Sequence, residues 1–337
     1  MRAGRLLMST ALVATMVGCG PPEGDPVELV VPDGASFSTV TDTLVARGIV
    51  TSARAFRAYA RFRGDDRRVK SGRYSLAPGD TWSEILDALT RGRVVTVPLT
   101  IPEGFRITQI APRIAQVSGM QADSVLGILL RPGMDSLFGL PGPGLEGYLF
   151  PDTYRFAAGV DVATVVEVMA DRYRAFWTTA RRERLASLAM SERDLVTLAS
   201  IVQAEARRPE EMPRIASVYH NRLRLGWLLQ ADPTVLYALG GPRPRLLFAA
   251  IDSVADNPYN TYRQPGLPPG PIGAPGEAAL EAALHPAEEP YLYFVARMDG
   301  SHVFTRTLAE HNRAVAESRR EQAQARQEGN SGGTGDR

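Results

Sequence analysis

Hydrophobic and polar positions alternate along this chain in blocks that read as short strands and amphipathic helices. Val27–Val31 and Gly72–Leu76 have the composition of strands. Between them, Ser36–Arg47 places Phe37, Val40, Leu44 and Val45 on one side of a helix, and Ser52–Arg63 reads as a second helix. Thr81–Thr90, with Trp82, Ile85, Leu86 and Leu89, predicts a third. The breaks at Gly48-Ile-Val and Pro78-Gly79-Asp80 fall where turns are needed. A small α+β module over residues 27–95 follows.

A β-rich run from Val94 to Ile101 leads into Pro102-Glu-Gly104 and opens a larger α+β domain over residues 96–316. Its pattern predicts a helical region from Ile107 to Gln116 that continues through Leu126–Leu130. Short strands around a turn follow in Leu145–Phe156, and then one long helix over Val162–Ala180. Ser191 with Asp194 three residues on is a capping-box signature, so a helix is expected over Ser191–Arg207. Another helix runs beyond Pro209 to Leu225, Pro- and Gly-rich loops fill Gly240–Gly276, and Tyr291–Ala296 reads as a strand. From about Arg319 the chain lacks apolar residues, which predicts a fraying helix and a disordered tail over residues 317–337.

Composition adds limits to this pattern. The 337 residues are enough for two domains, and 44% hydrophobic with 22% charged residues fits a globular body. The balance of 38 basic against 37 acidic residues gives no basic surface excess, so no nucleic-acid partner is expected. Cys19 is the only cysteine, which excludes an intrachain disulfide. It ends an N-terminal stretch of basic residues, an apolar run from Leu6 to Val17, and Gly18, the order of an export signal over residues 1–18. Met16-Val-Gly-Cys19 resembles a bacterial lipoprotein box, which makes Cys19 a candidate lipidation site. An uncleaved helical anchor and plain secretion are the alternatives, and all three put the body outside the cytoplasm. Residues 19–26, rich in Pro and Gly, read as a linker.

Glu205 is the candidate acid. Leu198, Ile201 and Val202 lie seven, four and three residues before it, so it shares their helix face, and it sits near the helix C-terminus, where a negative charge is disfavoured. Both effects raise a carboxyl pKa and keep a proton available. A glutamate followed by Arg207 and Arg208 is equally compatible with a solvated, loosely paired surface residue. Asp232 before Pro233 reads as the N-cap of the next helix, with ligand contact beside Gln230 as a second role. Asn221 and Arg222 either face the cleft or make structural hydrogen bonds. Tyr259, Asn260, Thr261 and Tyr262 combine rings with polar tips, as sugar recognition requires, or form an ordinary turn. The prolines of Gly266–Ile272 suggest a rigid wall. Glu146 and Asp152 are further acids that fit turn anchors. His220, His285, His302 and His311 share no helix face, so no metal site is expected, and no phosphate- or dinucleotide-binding motif points to a cofactor.

The runs Leu198-Ala-Ser-Ile-Val-Gln-Ala-Glu-Ala206, Val218-Tyr-His-Asn-Arg-Leu223, Leu229-Gln-Ala-Asp-Pro-Thr-Val-Leu-Tyr237 and Tyr259-Asn-Thr-Tyr262 resemble the YceG/MltG family of endolytic murein transglycosylases. So do Gly266–Ile272, Glu310-His-Asn312, Ile101-Pro-Glu-Gly104 and Leu145–Tyr154, and the resemblance spans roughly Val27–Val315. It implies cleavage of the bond between MurNAc and GlcNAc in peptidoglycan strands, with a 1,6-anhydro end as product and no cofactor. One carboxyl serves as acid and then base. Family members usually carry Glu-Lys-Glu in the helix motif; here Gln203 and Glu205 hold the two glutamate positions, which makes Glu205 the acid and Gln203 a positioning residue. The resemblance further implies a LysM-like N-terminal module, release of nascent strands, and peptidoglycan synthases as partners, while the N-terminal segment itself points to an anchor in the cell inner membrane. A water-using hydrolase with Asp232 as second carboxylate, and a non-catalytic glycan-binding lipoprotein, are the rival functions.

Overall fold

The computed structural model describes residues 25–92, 95–243 and 246–331, with side chains as far as residue 324. The expected signal segment and Cys19 lie outside the described residues. Two compact units divide the chain, the first ending at Thr96 and the second beginning at Val97.

In the first unit β1 (Val27–Val31) pairs antiparallel with β2 (Gly72–Leu76), Val27 opposite Leu76 and Val31 opposite Gly72. Strand side chains alternate between faces, so Leu29 and Val31 of β1 and Tyr74 and Leu76 of β2 are buried together. Three helices cover that face: α1 (Phe37–Ala46), α2 (Ala53–Arg63) and α3 (Trp82–Arg91). Ser36, Ser52 and Thr81 each accept a backbone N–H three residues on, satisfying donors a helix start leaves free. Val40, Leu44, Phe56, Ile85, Leu86 and Leu89 complete a core of this unit's own.

The second unit opens with β3 (Thr96–Thr100), continues through α4 (Ile107–Ser118), α5 (Ala122–Leu129) and the single turn α6 (Met134–Leu137), and returns as β4 (Thr153–Ala157), which pairs with β3. Only β4 is strand in the stretch expected to hold several; residues before it form turns that bury Tyr148, Leu149 and Phe150. The long helix expected over Val162–Ala180 is two helices, α7 (Val162–Phe176) and α8 (Thr179–Ser187). Thr178 breaks it by capping α8, its hydroxyl accepting the Arg181 N–H at 3.3 Å.

At the centre stands α9 (Glu192–Glu205), begun by the Ser191 and Asp194 capping box. Every residue from Leu195 to Val202 is buried, so this helix is enclosed on all sides rather than carrying one apolar stripe. Around it pack α10 (Met212–Arg224, entered through a 3-10 turn at Pro209–Glu211), α11 (Asp232–Ala238) and, after the short α12 (Phe248–Asp252), α13 (Glu277–Leu284). The hairpin β5 (Tyr293–Ala296) and β6 (His302–Thr305) is antiparallel, with Tyr293 opposite Thr305. The last helix, α14 (Leu308–Ser331), covers residues 317–331 of the segment expected to fray and become disordered, and the rest of that segment lies outside the described residues. Its Glu, Gln, Ala and Arg are strong helix formers and no proline interrupts them. Among the described residues no helix is long and apolar enough to cross a membrane.

Candidate active site

Glu205 is the final residue of α9, because Ala206 turns to an extended backbone at ψ 125° while its N–H still closes on the Val202 carbonyl. No basic side chain occupies the last turn to offset the helix dipole. The side chain opens onto a groove of about 490 Å³ shared by Tyr219 and Arg222 of α10, Gln230 and Asp232 at the start of α11, Tyr262, the β5–β6 hairpin and the start of α14. A larger cavity, about 760 Å³, is lined by other residues of α10, His220, Asn221 and Arg224 among them, and does not include Glu205.

Burial lifts the Glu205 carboxyl to about 7. Smaller influences oppose one another: the Tyr219 hydroxyl donates to Oε1 at 2.9 Å and favours the anion, the negative charge of Asp232 disfavours it, and Arg222 favours it. Tyr219 is itself buried, its phenol pushed well above the usual range by burial and by Glu205, so it stays a donor. Arg222 is fixed by backbone carbonyls, Nε donating to Leu292 at 2.7 Å and a terminal nitrogen to Leu229 at 2.6 Å, with Tyr293 stacked 5.2 Å from its guanidinium carbon. Gln230 holds a left-handed φ of 51° at the groove edge, costly for a residue with a side chain, while its N–H donates to the Thr261 carbonyl.

Of the residues singled out from sequence, Glu205, Arg222, Gln230, Asp232 and Tyr262 meet in this groove. Asp232 does not cap α11. It is the helix's first residue, behind Ala231, and its carboxylate accepts the Tyr262 hydroxyl at 2.5 Å. No side chain caps the start of α11; the Thr234 hydroxyl donates to the Ala231 carbonyl at 2.8 Å.

Other candidates have structural work instead. Asn221 follows Tyr219 by two positions and so turns away from the groove. Its amide bridges the carbonyls of Glu289 and Tyr291. Asn260 and Thr261 are fully enclosed: the Asn260 amide ties Ile251 and Val254, and the Thr261 hydroxyl accepts the Ala231 N–H. Tyr259 packs on Tyr237, ring centroids 4.7 Å apart, and is not among the groove residues. Gln203 accepts the Gly276 N–H at 3.0 Å, at the start of α13, which fastens the Pro-rich loop to α9.

Tyr219, Tyr293, Phe294, His302, His311 and Asn312 were not singled out for the groove and belong to it. The pairing of Tyr219 with Arg222, three residues apart on one helix, was the available signal. His302 is clamped by Glu211, which accepts Nδ1 at 2.8 Å and the backbone N–H at 3.1 Å. Elsewhere, the Glu146 carboxyl is half-buried and lifted to about 7, chiefly by desolvation; it accepts the Ile107 N–H at 3.1 Å and the Tyr237 hydroxyl at 3.3 Å. Asp152 pairs with Arg172 at 3.0 Å. Among the described residues no cluster of His, Cys, Asp and Glu could hold a metal ion.

The groove therefore presents one carboxyl able to give and recover a proton near neutral pH, beside a second carboxylate and a fixed guanidinium. The YceG-like family model matches residues 29–317. An endolytic murein transglycosylase of Bacillus subtilis is 34% identical over 305 residues, covering 86% of this chain and 83% of the relative. One from Streptococcus pneumoniae is 29% identical over 321 residues, and the alignment spans 57% of that longer protein. The 2.6 Å crystal structure of a YceG-like protein from Listeria monocytogenes superposes with a TM-score of 0.59 at 33% identity, over 86% of this chain and 99% of that one.

Proposed function

The chain belongs to the YceG-like family, and from that premise we propose that it is an endolytic peptidoglycan lytic transglycosylase with Glu205 as its catalytic acid and base. The observation that carries the assignment is the Glu205 carboxyl itself, lifted to about 7 in a groove and hydrogen-bonded by Tyr219. Protonated, it delivers its proton to the oxygen joining MurNAc to GlcNAc as the C1–O bond breaks. The resulting carboxylate takes the proton of the MurNAc 6-hydroxyl, and O6 closes on C1. One bond breaks, one forms, and the enzyme's proton is restored without water. Arg222 and Tyr219 steady the anionic intermediate state of Glu205, and Tyr262, Gln230 and Asp232 contact the sugars.

Release of nascent strands, with synthases as partners, and a LysM-like glycan-holding role for the first unit belong to the same proposal, on the strength of the family resemblance. So does attachment to the cell inner membrane through a lipid on Cys19 or an uncleaved helix, with the second unit in the periplasm. The order of basic, apolar and small residues at the N-terminus supports that attachment.

Purified protein incubated with peptidoglycan is expected to leave 1,6-anhydro ends, and Glu205→Gln to lower the rate by about a thousandfold. Mass spectrometry of the products decides. Ends heavier by one water would replace this mechanism with hydrolysis assisted by Asp232, and unchanged cleavage by the variant would remove Glu205 from the chemistry.

A further inference from the structure

A groove of about 490 Å³ is the size of a small-molecule site, yet the proposed substrate is a polymer, so the strand must continue over the surface beside it. Trp227 stands at one such exit. It follows α10 at a helix stop in which Gly226, at φ 68°, donates to the Leu223 carbonyl at 3.1 Å and the Trp227 N–H donates to the Arg222 carbonyl at 2.9 Å. This pair of bonds is the Schellman arrangement, and it fixes the indole's backbone to the same Arg222 that lines the groove.

The indole is 40% exposed, whereas Trp177 is buried and Trp82 packs in the core of the first unit. Its ring centroid lies 6.1 Å from that of Tyr293 at an interplanar angle of 60°. Tyr293 is in turn stacked on His311 at 5.2 Å, and both line the groove with Glu205. Rings thus run from the groove that holds Glu205, through Tyr293, to an indole exposed beside it.

We propose that Trp227 is a sugar-stacking platform outside the groove, so that a β-1,4 glycan strand engaged at Glu205 continues across Tyr293 onto the indole. This rests on the proposed function for the identity of the occupant. Pyranose rings in such a strand present an apolar C–H face and a polar rim, which matches a flat ring held rigidly at the edge of a polar groove. A platform at this position engages long strands and leaves short ones unaffected, which favours cutting within a chain.

The test uses the full chain carrying Glu205→Gln, titrated with the soluble GlcNAc dimer and hexamer while tryptophan emission is followed and affinity is measured by calorimetry. The hexamer is expected to shift the emission, and adding Trp227→Ala to weaken hexamer binding about tenfold while dimer binding is unchanged. Trp227→Tyr is expected to recover most of the loss. Equal hexamer affinity with and without the indole, at unchanged melting temperature, would overturn the platform. So would a concentration-dependent dimer that Trp227→Ala abolishes, since the ring would then be covered by a second copy. Cleavage is read separately in the Glu205 chain: anhydro ends without dependence on Trp227 sink the platform alone, and hexamer binding without anhydro ends sinks the catalytic assignment alone.

Discussion

In the proposed mechanism Glu205 meets two demands, holding a proton until the glycosidic oxygen needs it and accepting one afterwards. With its carboxyl at about 7, the protonated form that starts the reaction is lost as pH rises through that value, so the rate should fall on the alkaline side. Two neighbours move this limb in opposite directions. Tyr219 stabilises the carboxylate, so Tyr219→Phe raises the Glu205 pKa and carries the limb to higher pH. Asp232 destabilises it, so Asp232→Asn lowers the pKa and carries the limb to lower pH. Profiles of kcat against pH for both variants check the pair; limbs that move together would mean that neither acts through Glu205. Spacing placed Glu205 at a helix end but left it open as a solvated surface residue, and the resemblance of the surrounding runs is what singled it out as the candidate acid. Asp232 was read as a cap because Asp before Pro is a cap signature, but the helix begins one residue earlier and the carboxylate is left for Tyr262, which lies thirty positions away and outside any local pattern.

At the scale of elements, the Pro-rich loop is a strap laid along α9. The Ile272 N–H donates to the Ser200 hydroxyl at 3.0 Å, the Gly104 N–H donates to the Ala274 carbonyl at 2.7 Å, and Gln203 holds Gly276. The strap fits because Gly273 has no side chain: a Cβ there would lie 2.7 Å from the Gly104 carbonyl oxygen, which belongs to backbone and cannot rotate aside. Gly273→Ala is therefore expected to cost about 2 kcal/mol and lower the melting temperature by about 4–8 °C. Scanning calorimetry reads this directly, and an unshifted transition would show that the strap yields without cost. Strands and helices with strong caps, such as β1, β2 and the start of α9, were legible in the chain. The break between α7 and α8 was not, since a threonine inside an apolar-periodic run gives no warning that its hydroxyl will cap the next helix. Nor was the complete enclosure of α9, which depends on helices drawn from far along the chain.

For the whole molecule, the two hydrophobic cores have no residue in common: one ends at Leu89 and the other begins at Leu99. Every groove residue lies in the second unit, as do the strap, α9 and the hairpin that carries Tyr293. A core of this kind, closed on itself and larger than that of the first unit, has what a domain needs to fold alone. Residues 95–331, which keep β3 whole, should therefore melt in one cooperative transition and cut soluble glycan strands with a kcat within about threefold of the complete chain. If the first unit holds glycan, the same truncation raises KM on intact peptidoglycan while leaving kcat alone, because binding that is equal in ground and transition states is lost without touching the chemistry. A truncated chain that lacks a cooperative transition would show that the second core depends on the first. A fall in kcat with folding intact would show that the groove needs residues ahead of Val95 for catalysis itself.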